Sequence, residues 1–144
     1  MPSRFFMFAA VGALLLCGCG ESMPTMAPAK GKVTYKGQPL KFGTVMFQPA
    51  TGQSAKGEIQ PDGTFDLSTE RYGTGPAEPG AAVGMHFVRI TCFEGQAPAG
   101  SSGGNDVERP LGRSLIPENY TNFESSGIKA EVKPGGPPFQ FDLK

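Results

Sequence analysis

Residues 55–69 read AKGEIQPDGTFDLST. Two short runs flank Pro61-Asp62-Gly63, and both alternate with a period of two. Gly57 and Ile59 face one way, with Lys56, Glu58 and Gln60 the other; Phe65 and Leu67 then oppose Thr64, Asp66 and Ser68. A Pro-Asp-Gly turn between two alternating runs is the strongest hairpin signal in the chain, because the proline presets φ and the glycine supplies the positive φ of a tight reversal.

The same alternation recurs on both sides. Val33 and Tyr35 alternate with Lys32, Thr34 and Lys36. Val45 and Phe47 alternate with Thr44, Met46 and Gln48. Val88, Ile90 and Cys92 share a face opposite Phe87, Arg89 and Thr91. Ile128, Ala130 and Val132 oppose Lys129, Glu131 and Lys133, and Phe139, Phe141 and Leu143 oppose Gln140, Asp142 and Lys144. Tyr35-Lys36-Gly37-Gln38-Pro39 reads as a second tight turn. No window of eleven residues beyond the first twenty shows a 3.6-residue period. Seven one-sided segments of this kind predict an all-β domain, a single seven-stranded antiparallel β-sandwich spanning residues 30–144. Two stretches fall outside the pattern, the Gly/Pro-rich 69–83 and the Gly/Ser-rich 94–114. They are expected as long loops, where binding residues tend to collect.

The N-terminus has a different character. MPSRFFMFAAVGALLLCGCG opens with Arg4 and continues as an apolar run from Phe5 to Leu16. Twelve helical residues span about 18 Å, well short of a hydrocarbon core of ~30 Å. A positive start, a short apolar run and small residues behind it describe an export signal. Leu16-Cys17-Gly18-Cys19 resembles the bacterial lipobox, with an aliphatic residue three before the cysteine and a small one directly before it. Cys17 fits that pattern poorly, since bulky Leu16 precedes it. The resemblance implies cleavage after residue 18, a diacylglyceryl group on the Cys19 sulfur and often a further acyl chain on its amine. Two or three chains anchor stably where one binds marginally. Residues 19–29 are then expected to be the lipidated cysteine and a flexible, solvated tether.

Composition removes several function classes. Without residues 1–18, 126 of the 144 residues remain, enough for one domain. Basic and acidic residues number 13 each over the whole chain, and no basic block occurs. Nucleic-acid binding needs clustered Lys and Arg to displace counterions, so no nucleic-acid partner is expected. With Cys17 in the signal and Cys19 acylated, Cys92 has no disulfide partner.

Three passages carry a family resemblance: GKVTYKGQPLKFGTVMFQP, AKGEIQPDGTFDLST, and HFVRITCF after the Gly/Pro loop. Together they resemble the carboxypeptidase regulatory-like, transthyretin-like β-sandwich modules. More narrowly, LIPENYTN, SSGIKAEVKPGG and a final FQFDL are similar to the close of small lipoproteins of planctomycete-type bacteria. The resemblance covers residues 30–144 and consists of turn glycines and core positions, so it implies a fold far more than an activity. It departs at His86, where an aromatic is more usual, and at Cys92. Transthyretin-fold enzymes that hydrolyse 5-hydroxyisourate carry several histidines, an arginine and a terminal Tyr-Arg-Gly-Ser; this chain ends FQFDLK.

No catalytic set emerges from the residues, and none is expected. His86 is the single histidine and is expected at a strand end on the rim, without a nucleophile. Cys92 alternates with Val88 and Ile90 and reads as a core thiol, quiet by burial. Glu58, Asp62, Asp66 and Glu70 near the turn, and Asn105, Asp106 and Glu108 in the long loop, lack the spacing of a calcium loop. Neither a metal nor another cofactor is expected.

Trp is absent, which weakens a glycan platform; Tyr72, Tyr120 and Phe123 are the loop aromatics left as partner-contact candidates. Tyr120 with Phe123 is expected to staple a loop onto the end of the domain. The expected function is a cell-envelope lipoprotein, anchored through lipid on Cys19. Its non-catalytic β-module would meet an envelope protein or glycan through residues 69–83 and 94–114. A carbohydrate- or calcium-binding module is the alternative.

Overall fold

The computed structural model describes residues 24–70, 75–96, 100 and 112–144. Each of the seven alternating segments is a strand in it, and five two-residue strands join them. In chain order they are β1 (Met26–Ala27), β2 (Lys30–Tyr35), β3 (Gln38–Pro39), β4 (Thr44–Pro49), β5 (Ala55–Glu58), β6 (Thr64–Asp66), β7 (Ser68–Thr69), β8 (Glu78–Pro79), β9 (Ala81–Ala82), β10 (Gly84–Thr91), β11 (Ile128–Val132) and β12 (Phe139–Leu143). Glu118–Thr121 forms one 3-10 turn, the one helical element among the described residues. The fold is all-β, but with twelve strands among those residues rather than seven.

Six strands form one sheet in the order β11-β10-β4-β5-β7-β8, every pair antiparallel. In the second sheet β12 flanks β2 on one side, while β6 and β3 share the other. The β12–β2 pair is parallel, with Phe139 opposite Gly31 and Leu143 opposite Tyr35. This corrects the expectation of a wholly antiparallel arrangement. Alternation fixes which face a strand buries and is silent on which strand lies beside it.

The Pro61-Asp62-Gly63 turn forms, but the expected hairpin does not, because β5 and β6 do not pair with each other. Gly63 has φ 85° and donates to the Gln60 carbonyl, Gln60 donates to the Thr64 carbonyl, and the Asp62 carboxylate accepts from the Thr64 backbone and hydroxyl. The Thr64 hydrogen bonds hold the Asp62 carboxyl below its usual pKa. Beyond the turn the two runs part company. β5 belongs to the six-stranded sheet and β6 pairs with β2, so the chain passes between sheets here. It returns at Leu67, after which β7 pairs with β5.

Phe47 stands at the centre of the core and is fully buried. Its ring meets Phe65, Phe139 and Phe141 of the second sheet at centroid distances of 6.4, 5.2 and 6.1 Å. Tilted and edge-on contacts of this kind are the favourable geometry for aromatic quadrupoles. Val33, Val45, Ile59, Val88, Ile90 and Val132 are buried around it, each at an inward alternation position.

Two expectations about the chain ends of the domain change. Residues 24–29 are not a free tether: β1 pairs with β9, and Ala27 and Ala29 are buried. Leu67 donates to the Ala29 carbonyl and Val83 to that of Thr25. Likewise the described part of 69–83 is strand-paired through β7, β8 and β9. At the base of 94–114, Phe93 bridges to Ser114 and Glu94 exchanges backbone hydrogen bonds with Gly112 and Arg113.

Candidate interaction surfaces

β11 ends one sheet and β12 ends the other, and both lie on the same side of the molecule. The inward side chains of β12 are therefore only partly covered. Phe139 and Phe141 are half-buried, whereas Leu143, further along, is buried. A groove of about 440 Å³ opens there between Glu131, Val132 and Lys133 of the β11 side and Phe139 and Gln140 of β12, with Pro28 and Pro138 at its walls. A shallower groove of about 330 Å³ continues around Phe139 and Gln140 to Lys30, Lys32 and Asp66. Lys30 and Asp66 stand 4.0 Å apart and largely exposed, so their attraction is worth little in water.

The loop aromatics do not converge on either groove. Tyr120 sits in the 3-10 turn, half-buried against the core, with its hydroxyl 3.5 Å from the Lys144 amide. Phe123 lies under the Arg89 guanidinium, 4.8 Å from ring centroid to cation. The Ser126 hydroxyl donates to the Val88 carbonyl between them. Tyr120 and Phe123 thus fasten residues 118–126 to β10, Tyr120 on the core side and Phe123 through Arg89. Tyr72 and Cys19 lie outside the described residues, as do Asn105, Asp106 and Glu108.

His86 is buried rather than at a rim, 2% exposed on the inner face of β10. Counting in twos from Val88 and Ile90 leads to this position; the reading as a strand end obscures it. Its Nδ1 lies 3.0 Å from the Gly84 carbonyl, which requires the proton on Nδ1. Nε2 then carries a lone pair, buried and without a partner among the described residues. Burial pushes the His86 pKa below its usual value, against a smaller opposing effect of the Gly84 hydrogen bond. The ring packs 5.7 Å from Phe47, in surroundings suited to a neutral imidazole. Cys92 is buried on the same face, and burial raises its thiol pKa, so the thiolate needed for reactivity is suppressed.

Among the described residues no three His, Cys, Asp or Glu side chains gather as metal ligands would. Nor is any described helix long and apolar enough to cross a membrane. The outer face of the six-stranded sheet has a different chemistry. Met85 and Phe87 are 56% and 45% exposed there, and Val83, 39% exposed, precedes them. Periodicity assigns Phe87 to the outward face, but nothing local marks these residues as a patch. Comparison with protein families, curated proteins and solved structures finds no match to this chain.

Proposed function

We propose that this protein is a lipid-anchored lipoprotein of the cell envelope. Its β-domain, taken as a transthyretin-like sandwich, would serve as a non-catalytic interaction module. The observation that carries the reading is Leu16-Cys17-Gly18-Cys19 behind a short apolar run with a single early arginine. The docking of β1 supports it, because it fixes Thr25, six positions after the cysteine that would carry lipid, against the folded domain. Lipid would fix location, and the domain would present the groove between β11 and β12, together with residues 69–83 and 94–114, to an envelope partner. Among the described residues the buried, neutral His86 and the quiet Cys92 supply no acid–base or nucleophilic pair, which favours binding over catalysis. Labelled palmitate fed to an expressing bacterium should enter the wild-type protein and co-sediment with membranes. Cys19→Ser should lose both label and sedimentation; a Cys19→Ser chain that still partitions with membranes would overturn the anchor.

A second reading rests on the groove around Phe139. A half-exposed ring flanked by Lys30, Asp66 and Gln140 is the pairing of apolar floor and polar rim that a sugar meets in its receptor. Oligosaccharide titration followed by NMR should then shift the Phe139 and Gln140 amides first, and shifts confined elsewhere would remove this reading.

A further inference from the structure

Two observations on the six-stranded sheet meet at one place. The first is the exposed apolar surface formed by Val83, Met85 and Phe87. β10 pairs with β4 so that Arg89 lies opposite Met46, and with β11 so that Phe87 lies opposite Lys129. The Arg89 guanidinium reaches the Met46 sulfur at 3.3 Å, and the Lys129 ammonium stands 5.4 Å from the centre of the Phe87 ring. Lys56 lies opposite Met46 on its other side. The one acid beside Met85, Glu131, is bridged by Lys133 at 2.9 Å. The face is apolar at its middle, and the cations around it, Lys56, Arg89, Lys129 and Lys133, outnumber the acids Glu58 and Glu131.

The second observation is where the chain enters. The Thr25 carbonyl accepts from the Val83 amide, so the N-terminal segment meets the domain at the edge of this surface. Only five residues lie between Cys19 and Thr25, at most about 20 Å of fully extended chain from one to the other. An anchor at Cys19 would hold Val83, Met85 and Phe87 near the bilayer surface on that short lead.

We propose that this outer face of β10 and its neighbours lies against the anionic lipid surface that holds the anchor, with Met85 and Phe87 entering the headgroup region. The inference rests on the anchored reading given above. Lys129, Arg89 and Lys56 supply the charge for anionic headgroups, and their long aliphatic stems can lie along apolar surface while the heads stay hydrated. A lipid surface fits better than a protein partner because the short chain fixes the distance to one and not the other. The contact is small, so it should depend on the lipid anchor for its effective concentration.

The chain contains no Trp, so a single introduced Trp reports its own surroundings. Lipidated full-length protein with Phe87→Trp, reconstituted in mixed phosphatidylcholine and phosphatidylglycerol vesicles, should show blue-shifted emission. Brominated lipids should quench it by about twofold or more, as for side chains seated at the interface. Met85→Trp should behave alike, guarding against a folding defect at one position. Gln140→Trp, exposed on the other sheet, should stay unquenched. Flotation of the vesicles reads the anchor separately. Protein that floats without quenching at positions 85 and 87 overturns the orientation and leaves the anchor standing. Burial of those positions from aqueous iodide without lipid quenching shows a protein or a second copy there instead and also overturns it. Protein that fails to float removes the anchor and this inference together.

Discussion

The Nε2 atom of His86 is buried without a hydrogen-bond partner among the described residues, and an orphaned polar group of this kind costs about 1–3 kcal/mol. The cost grows if the ring takes a second proton, because a cation would sit among Phe47, Val88 and Ala130 with no acid at hand. Its pKa in the fold lies below the ordinary 6.5, so between those two values the unfolded chain binds more protons than the folded one. His86 therefore favours the fold above pH 6.5 and withdraws that stability as pH falls below it. Urea midpoints measured across this window should drop toward acid in the wild type. They should hold nearly level in His86→Phe, which also removes the orphan; an unchanged acid slope in the variant would assign it to other groups. Phe47 is the opposite case, readable from alternation alone and found at the centre of four rings. Phe47→Ala should cost about 3–5 kcal/mol in urea denaturation. A loss under about 1 kcal/mol would mean that the two sheets close over the space, as collapse of a site can do.

Among elements, β1 departs most from what its residues suggest. Met26–Ala27 is too short to show a period, and prolines at 24 and 28 argue for solvated chain. What binds it is the small residues: Ala27, Ala29 and Ala81 bring backbones together with no bulky side chain between them. Gly80 is the tightest point, with φ 96° and no room for a Cβ against the Ala27 carbonyl. Gly80→Ala should therefore release β1 from β9 while the six-stranded sheet persists. Hydrogen exchange at the Val83 amide, which donates to Thr25, should rise toward the rate of unprotected chain, while Phe47 and Val88 stay slow. Equal protection at Val83 in the variant would show that β9 shifts to admit the methyl group. Two other short strands, β8 and β9, are hidden in residues 69–83 for the same reason. Strand partners are hidden for another. FQFDL alternates cleanly, yet its parallel alignment on β2 depends on 103 intervening residues, from 36 to 138, that alternation does not encode.

For the whole molecule, the proposed function depends on how an anchor at Cys19, the entering strand and the exposed face are joined. Docking of β1 fixes Thr25 to the domain, so an anchor at Cys19 would hold the domain near the bilayer with its Val83, Met85 and Phe87 edge foremost. If nearness is what seats this face, lengthening the chain should unseat it without touching fold or anchor. A Gly/Ser insert of about 20 residues between Cys19 and Pro24 would behave as a random coil. Going from about 5 to about 25 free residues should cut the local concentration of the domain at the surface roughly tenfold, as the −3/2 power of length. The inserted protein should still float with vesicles and unfold at the same urea concentration. Phe87→Trp in that background should lose most of its quenching by brominated lipid, and adding phosphatidylglycerol should partly restore it through Lys129, Arg89 and Lys56. Quenching that is indifferent to tether length would show that the face holds the bilayer unaided, and loss of flotation would show that the insert had disturbed lipidation itself.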